Sequence, residues 1–192
     1  MKRTLLTCAL LISGLALAAG AADTKPDDKR TGDKNTAAAA TAPAAATNAQ
    51  FEKMKSLVGT WLMADKDGKP TDQVFSVIRL TAGGSALHET IMPGQEMEMI
   101  SVYTVDNGEL VMTHYCMLGN QPRMKADPKS AEGTITFDFA GGGNLDVKKD
   151  KHMHGATLTF VDADHLSIDG IAWDNGAPSK EMCHGMKLVR KK

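Results

Sequence analysis

The sequence predicts an all-β domain, an up-and-down antiparallel β-barrel of about ten strands with a short helix at its N-terminal end. Helical periodicity ends near residue 57, and ten short segments rich in Val, Ile, Thr, Phe and Tyr follow. Asp67-Gly68, Asn107-Gly108 and Asn175-Gly176 lie between segments and are typical of hairpin turns. Consecutive strands joined by short turns favour a closed barrel, which has no exposed sheet edge. A two-sheet sandwich is the alternative.

The N-terminal 50 residues are not expected to belong to this domain. Residues 1–22 have a basic start, an apolar stretch and a run of small residues, which is the pattern of a bacterial Sec-type signal peptide. Residues 23–50 are rich in Ala, Thr and Pro with nothing large to bury, which predicts a disordered linker. No later segment is apolar for long enough to span a membrane. We therefore expect an exported protein, periplasmic or extracellular.

Residues 51–192 form the predicted barrel domain. A short helix is expected over 51–57, with Asn48 as a possible cap. The Gly141-Gly142-Gly143 run is expected to begin the longest loop. The predicted strands are 59–65, 72–81, 85–92, 96–106, 109–117, 121–127, 132–140, 152–162, 164–173 and 179–190.

Composition and charge narrow the classes of partner. The formal net charge is −1, and the only basic run is Arg190-Lys191-Lys192, so a nucleic-acid partner is not expected. Twelve Met against five Phe and two Trp predict an adaptable core. The sequence gives no indication of the oligomeric state.

A resemblance to a known superfamily supports the barrel. Gly59-Thr60-Trp61 after a short helix, the ten β-segments and the late Arg190 resemble the calycins, which comprise lipocalins, fatty-acid-binding proteins and nitrobindin-like barrels. The resemblance implies that Trp61, with Gly59 before it, packs under the basic side chain of Arg190 from the last strand. The stretch 113–124 and His152-Met153-His154 are similar to exported bacterial lipocalin-like proteins of unassigned activity.

Strand alternation predicts which side chains face the interior. A ten-strand barrel is wider than its own side chains fill, so the expected function is binding of a small apolar or mixed molecule. The expected ligand-binding residues are Phe75, Leu87, Glu89, Met99, Tyr103, Met112, His114, Cys116, His152, His154, Leu158 and His184.

Two other functions stay open at this point. An interior His114 or His154 could act as a general base with Glu89 as its partner, in a small lyase, isomerase or hydrolase. The histidines could also hold haem or a metal, because His-x-His on a strand places two rings on one side. The spacing matches no compact metal motif, however, and the first strand departs from the nitrobindin pattern. The sequence favours binding over catalysis, and no cofactor or metal is expected.

Arg123, Cys116 and Cys183 could have a polar or redox role. Arg123 could anchor a ligand carboxylate, although a structural role in the turn after the fifth strand is favoured. Cys116 and Cys183 could form a disulfide in an exported protein. Strands five and ten lie on opposite sides of a ten-strand barrel, which favours two separate thiols.

Overall fold

The chain folds into a closed antiparallel β-barrel, as the computed structural model shows for residues 48–179 and 185–192. The all-β class and the barrel are confirmed. The elements are α1 Ala49–Lys55, β1 Gly59–Ala64, β2 Pro70–Thr81, β3 Ala86–Ile91, β4 Met99–Asp106, β5 Glu109–Tyr115, β6 Gln121–Ala126, β7 Thr134–Gly143, β8 His152–Phe160, β9 His165–Asp174, β10 Ala177–Ser179 and β11 Met186–Arg190, with a 3-10 turn at Ala82–Gly84.

Closure follows from the order of the strands. Each strand from β1 to β9 pairs with the next, β11 pairs with β9, and β11 returns to β1 with Trp61 opposite Arg190. The short β10 pairs with the other end of β9, so β10 and β11 share the tenth position of the barrel. Because all the described strands belong to one continuous sheet, the sandwich alternative is excluded.

Two hairpin turns have the backbone conformation that their Asn-Gly dipeptides predict. Asn107 and Gly108 both have positive φ between β4 and β5, and Asn175 and Gly176 do so between β9 and β10. Two successive positive φ angles match the right-handed twist of the flanking strands. The Asn107-Gly108 turn fixes the β4–β5 register, with Asp106 opposite Glu109, and the Asn175-Gly176 turn fixes the β9–β10 register, with Asp174 opposite Ala177.

Several element boundaries differ from those predicted. The Gly141-Gly142-Gly143 run does not begin a loop but ends β7, which pairs there with β6. A side chain at Gly142 would lie 2.9 Å from the carbonyl oxygen of Gln121, so the glycine lets the two backbones approach closely. Residues 180–184 of the tenth predicted segment lie outside the described residues, as do residues 1–47.

One end of the barrel, which we call the closed end, is covered by α1. The helix begins two residues earlier than predicted, and Asn48 caps it by accepting a hydrogen bond from the amide of Phe51 at 2.9 Å. Phe51 and Met54 on α1 are buried in the core together with Leu57.

Among the described residues, no helix has the length and apolar character needed to cross a membrane.

Trp61 and Arg190 lock the first and last strands together at the closed end. The Trp61 side chain is 1% exposed, and its Nε1–H donates to the carbonyl oxygen of Leu57 at 2.8 Å. The Arg190 guanidinium lies 4.3 Å from the centre of the Trp61 ring and donates to the carbonyls of Ser56 and Val58. One planar cation therefore satisfies free carbonyl groups after α1 while it covers the indole.

Gly59→Ala is expected to reduce the free energy of unfolding by about 1–3 kcal/mol. Gly59 has a φ of +141°, and a Cβ there would lie 2.9 Å from Nη1 of Arg190. The matched control is Gly68→Ala, since Gly68 also has positive φ but open space around it. Urea unfolding should show a larger loss for Gly59→Ala. Equal losses would mean that the contact with Arg190 is unimportant.

Candidate functional site

A cavity of about 220 Å³ lies inside the barrel, between the closed end and the opposite end. Its walls come from β2, β3, β4, β5, β8, β9 and β11. It extends to the β3–β4 and β5–β6 connections, which form the mouth, where Met97 and Leu118 are 46% and 54% exposed. The cavity is thus an apolar pocket that is covered at one end and reaches the surface at the other.

The strand register places three of the interior polar residues in one row. Glu89 on β3 is opposite Ser101 on β4, and Ser101 is opposite His114 on β5. Directly opposed residues on one face have Cβ atoms roughly 5 Å apart. We call Glu89, Ser101 and His114 the polar row. Tyr103 lies on the same face of β4, two residues from Ser101 towards the closed end of the barrel.

Glu89 is a buried carboxyl group at the cavity wall. It is 5% exposed and accepts a hydrogen bond from the Tyr103 hydroxyl at 2.6 Å. Burial raises the pKa of Glu89, while hydrogen bonds from Tyr103 and Ser76 act in the opposite direction. Burial and the negative charge of Glu89 also raise the pKa of Tyr103 well above its usual value, so the phenol stays protonated. The pair retains acceptor capacity, because a carboxylate has about four lone-pair positions.

His114 is the other titratable end of the polar row. Its ring is 4% exposed, and Nδ1 lies 3.0 Å from the Ser101 hydroxyl. Burial lowers the pKa of His114 to about 4, so the ring is neutral at neutral pH. Nε2 has no hydrogen-bond partner among the described residues, and the ring borders the cavity.

His152 and His154 occupy a β-bulge near the mouth end of β8. The pairing with β9 passes from Met153 to Gly155 and leaves His154 as the extra residue. His152 borders the cavity, whereas His154 is stacked between Phe139 and Trp173, with ring centres 4.5 and 4.0 Å away. The bulge therefore leaves only His152 at the cavity, whereas simple alternation predicts both rings there.

The two rings are hydrogen-bonded in a defined order. Nδ1 of His152 lies 2.8 Å from the carbonyl oxygen of Asp150, which can only accept, so this nitrogen carries the hydrogen. In the neutral pair Nε2 of His152 is then the acceptor for Nδ1–H of His154, at 3.0 Å. Burial and the neighbouring His152 lower the pKa of His154. These contacts give both rings structural partners.

The structure brings most of the predicted site residues to the cavity. Leu87 is fully buried in the core without bordering the cavity, His154 is held in its aromatic stack, and His184 lies outside the described residues. The predicted residues that border the cavity are Phe75, Glu89, Met99, Tyr103, Met112, His114, Cys116, His152 and Leu158.

Sequence reasoning missed two serines that complete the polar contacts. Ser101 is in step with Met99 and Tyr103, so a polar residue within an inward-facing apolar set was an available signal. Ser76 gave no such signal, because the pairing of β1 with β2 skips Phe75 and the bulge there changes which residues of β2 face inward. Arg123, the possible carboxylate anchor, is exposed and paired with Asp106.

The described residues contain no cluster of three or more His, Cys, Asp or Glu side chains suited to a metal ion. Cys116 borders the cavity and forms no disulfide with any described residue, while Cys183 lies outside them. What the site can bind is therefore inferred from its apolar walls and its polar row.

Compared with known proteins, the chain matches no family model, and no curated protein is significantly similar to it.

Proposed function

We propose that the protein is an exported, calycin-like β-barrel that binds a small, largely apolar molecule in its interior. The cavity supports this proposal most directly, since a closed barrel with an apolar pocket reaching one end is a typical ligand site. The Trp61–Arg190 contact supports the calycin-like assignment. The signal-peptide pattern of residues 1–22 supports export.

The size of the cavity narrows the ligand class. Its volume of about 220 Å³ is roughly one and a half times that of a ~150 Å³ apolar cavity that takes up benzene. It is smaller than the ~300 Å³ at which pockets for drug-sized ligands begin. A single substituted ring or a short aliphatic chain fits this space, and a longer molecule would extend through the mouth.

Catalysis by an interior histidine is less well supported. A general base works best when its pKa lies near the operating pH, and burial lowers the pKa of His114 to about 4. His154 is stacked between two rings away from the cavity. The haem or metal carrier likewise gains no support from the described residues.

Filling the cavity tests the proposal. Ala156 is buried and borders the cavity, so Ala156→Phe should weaken binding of toluene at least tenfold, because the new ring occupies the space. The matched control is Ala140→Phe, at an exposed position of β7, and this variant should bind toluene as the wild type does. Binding is measured by ligand-observed NMR, and folding is checked by thermal unfolding. The proposal would be contradicted if the wild type bound neither toluene nor its polar one-ring analogues, or if folded Ala156→Phe bound toluene as well as the wild type does.

A further inference from the structure

We infer that the cavity selects its ligand by charge and hydrogen-bond polarity: it accepts an N–H or O–H donor group, cationic or neutral, and rejects a carboxylate. This inference rests on the proposed binding function and specifies the ligand class of the same site. It is the reverse of the polarity that an anchoring arginine would give.

The first argument is the direction of the interior hydrogen bonds. The Tyr103 hydroxyl hydrogen is already directed to Glu89 at 2.6 Å, and the phenol oxygen is also hydrogen-bonded to Ser101. The phenol therefore has no hydrogen left to donate to a ligand and can only accept. Glu89 accepts hydrogen bonds from the hydroxyl groups of Tyr103 and Ser76, and its oxygens have further lone pairs that can accept. The Glu89–Tyr103 pair therefore presents hydrogen-bond acceptors, which a donor group on the ligand would complete.

The second argument is the placement of the basic side chains. No described residue that borders the cavity is Lys or Arg. Arg123 is paired with Asp106 outside the barrel, and Arg190 is held over Trp61 at the closed end. The His114 ring at the cavity wall is neutral at neutral pH, because burial lowers its pKa to about 4. A ligand carboxylate inside would therefore lose its hydration without gaining a cation, and it would lie near the buried Glu89.

The third argument is that the same geometry favours an amine. An ammonium group beside Glu89 counteracts the effect of burial on its pKa and favours the charged carboxylate. The two groups then form a charge-assisted hydrogen bond, which is stronger than a neutral one in a largely apolar surrounding. A hydroxyl group makes the neutral version of the same contact. An apolar ring against Met99 and Met112 would contribute the rest of the binding.

A matched set of one-ring probes tests this inference at neutral pH: toluene, benzyl alcohol, benzylamine and benzoate. For the wild type we expect benzylamine and benzyl alcohol to bind about tenfold more tightly than toluene, and benzoate about tenfold more weakly. Glu89→Gln should remove most of the benzylamine advantage, lower the benzyl alcohol affinity by less than about threefold, and improve benzoate binding. Glu132→Gln on the exposed surface is the control with the same change of net charge and should leave the order unchanged.

The outcomes separate this inference from the proposed function. If toluene binds but benzoate binds most tightly, or Glu89→Gln leaves the order unchanged, the inference is wrong while the binding function stands. If the wild type binds none of the four probes, the binding function fails and the inference fails with it. Should Glu89→Gln not fold, Tyr103→Phe must lower the benzylamine affinity at least threefold, because it removes the phenol oxygen as an acceptor and the hydrogen bond that favours the charged form of Glu89. An unchanged affinity overturns the inference.

Discussion

Trp61→Ala is expected to lower the free energy of unfolding by about 3–5 kcal/mol, which is the usual range for removing a buried large aromatic side chain. The indole is 1% exposed, packs in the core with residues of α1, and donates a hydrogen bond to the carbonyl of Leu57. Its loss also leaves the Arg190 guanidinium without the ring that it covers. Urea unfolding followed by far-UV circular dichroism measures the change.

Two further variants separate the contributions of Trp61. Trp61→Phe keeps a ring but loses the Nε1–H donor, so a smaller loss of about 1–2 kcal/mol is expected. Trp173→Ala makes the same large substitution at a half-buried position on β9, and it should destabilise by less than half as much as Trp61→Ala. If Trp61→Ala and Trp173→Ala destabilise equally, the closed end does not depend on Trp61 as described.

The sequence allowed the fold to be predicted because its local signals agree with one another. Segments of β-forming residues and Asn-Gly turns specify consecutive hairpins, and the observed positive φ angles at Asn107 and Asn175 are those that the turns require. The prediction that the Gly141-Gly142-Gly143 run begins a loop is wrong, because a glycine at a close approach between strands cannot be told from a glycine in a turn by sequence alone. Only the contact with Gln121 distinguishes the two cases.

The site could be predicted only in part, because alternation gives a face but not a register. Strand alternation predicts that Glu89 and His114 face inward. Which residues lie opposite them on neighbouring strands depends on the pairing of β3, β4 and β5. The bulge at His154 adds a residue that shifts the alternation, and no local property of His-Met-His indicates its presence. The polar row and the different positions of His152 and His154 relative to the cavity are therefore visible only in the folded structure.

The pH dependence of stability should depend on His114. Burial lowers its folded-state pKa to about 4 from 6.5, so between these values the unfolded chain binds a proton that the folded chain does not. Stability due to this group is complete above pH 6.5 and falls as the pH decreases towards 4. A shift of this size corresponds to about 3 kcal/mol. The expected result is that the wild type loses about 3 kcal/mol more than His114→Gln between pH 7 and pH 4.

The comparison with His114→Gln is needed because Glu89 acts in the opposite direction. Burial raises the pKa of Glu89, so the folded protein binds a proton there at a pH where the unfolded chain does not, and a falling pH stabilises the fold. Tyr103 and Ser76, which contact Glu89, stay in place in the variant, as does His154, whose lowered pKa adds destabilisation of the same sign as His114. Subtracting the two unfolding curves, measured by urea at each pH, isolates His114. Parallel curves for wild type and variant would show that the ring is solvated in the folded protein, and the cavity would then be wetter and less selective than its apolar walls indicate.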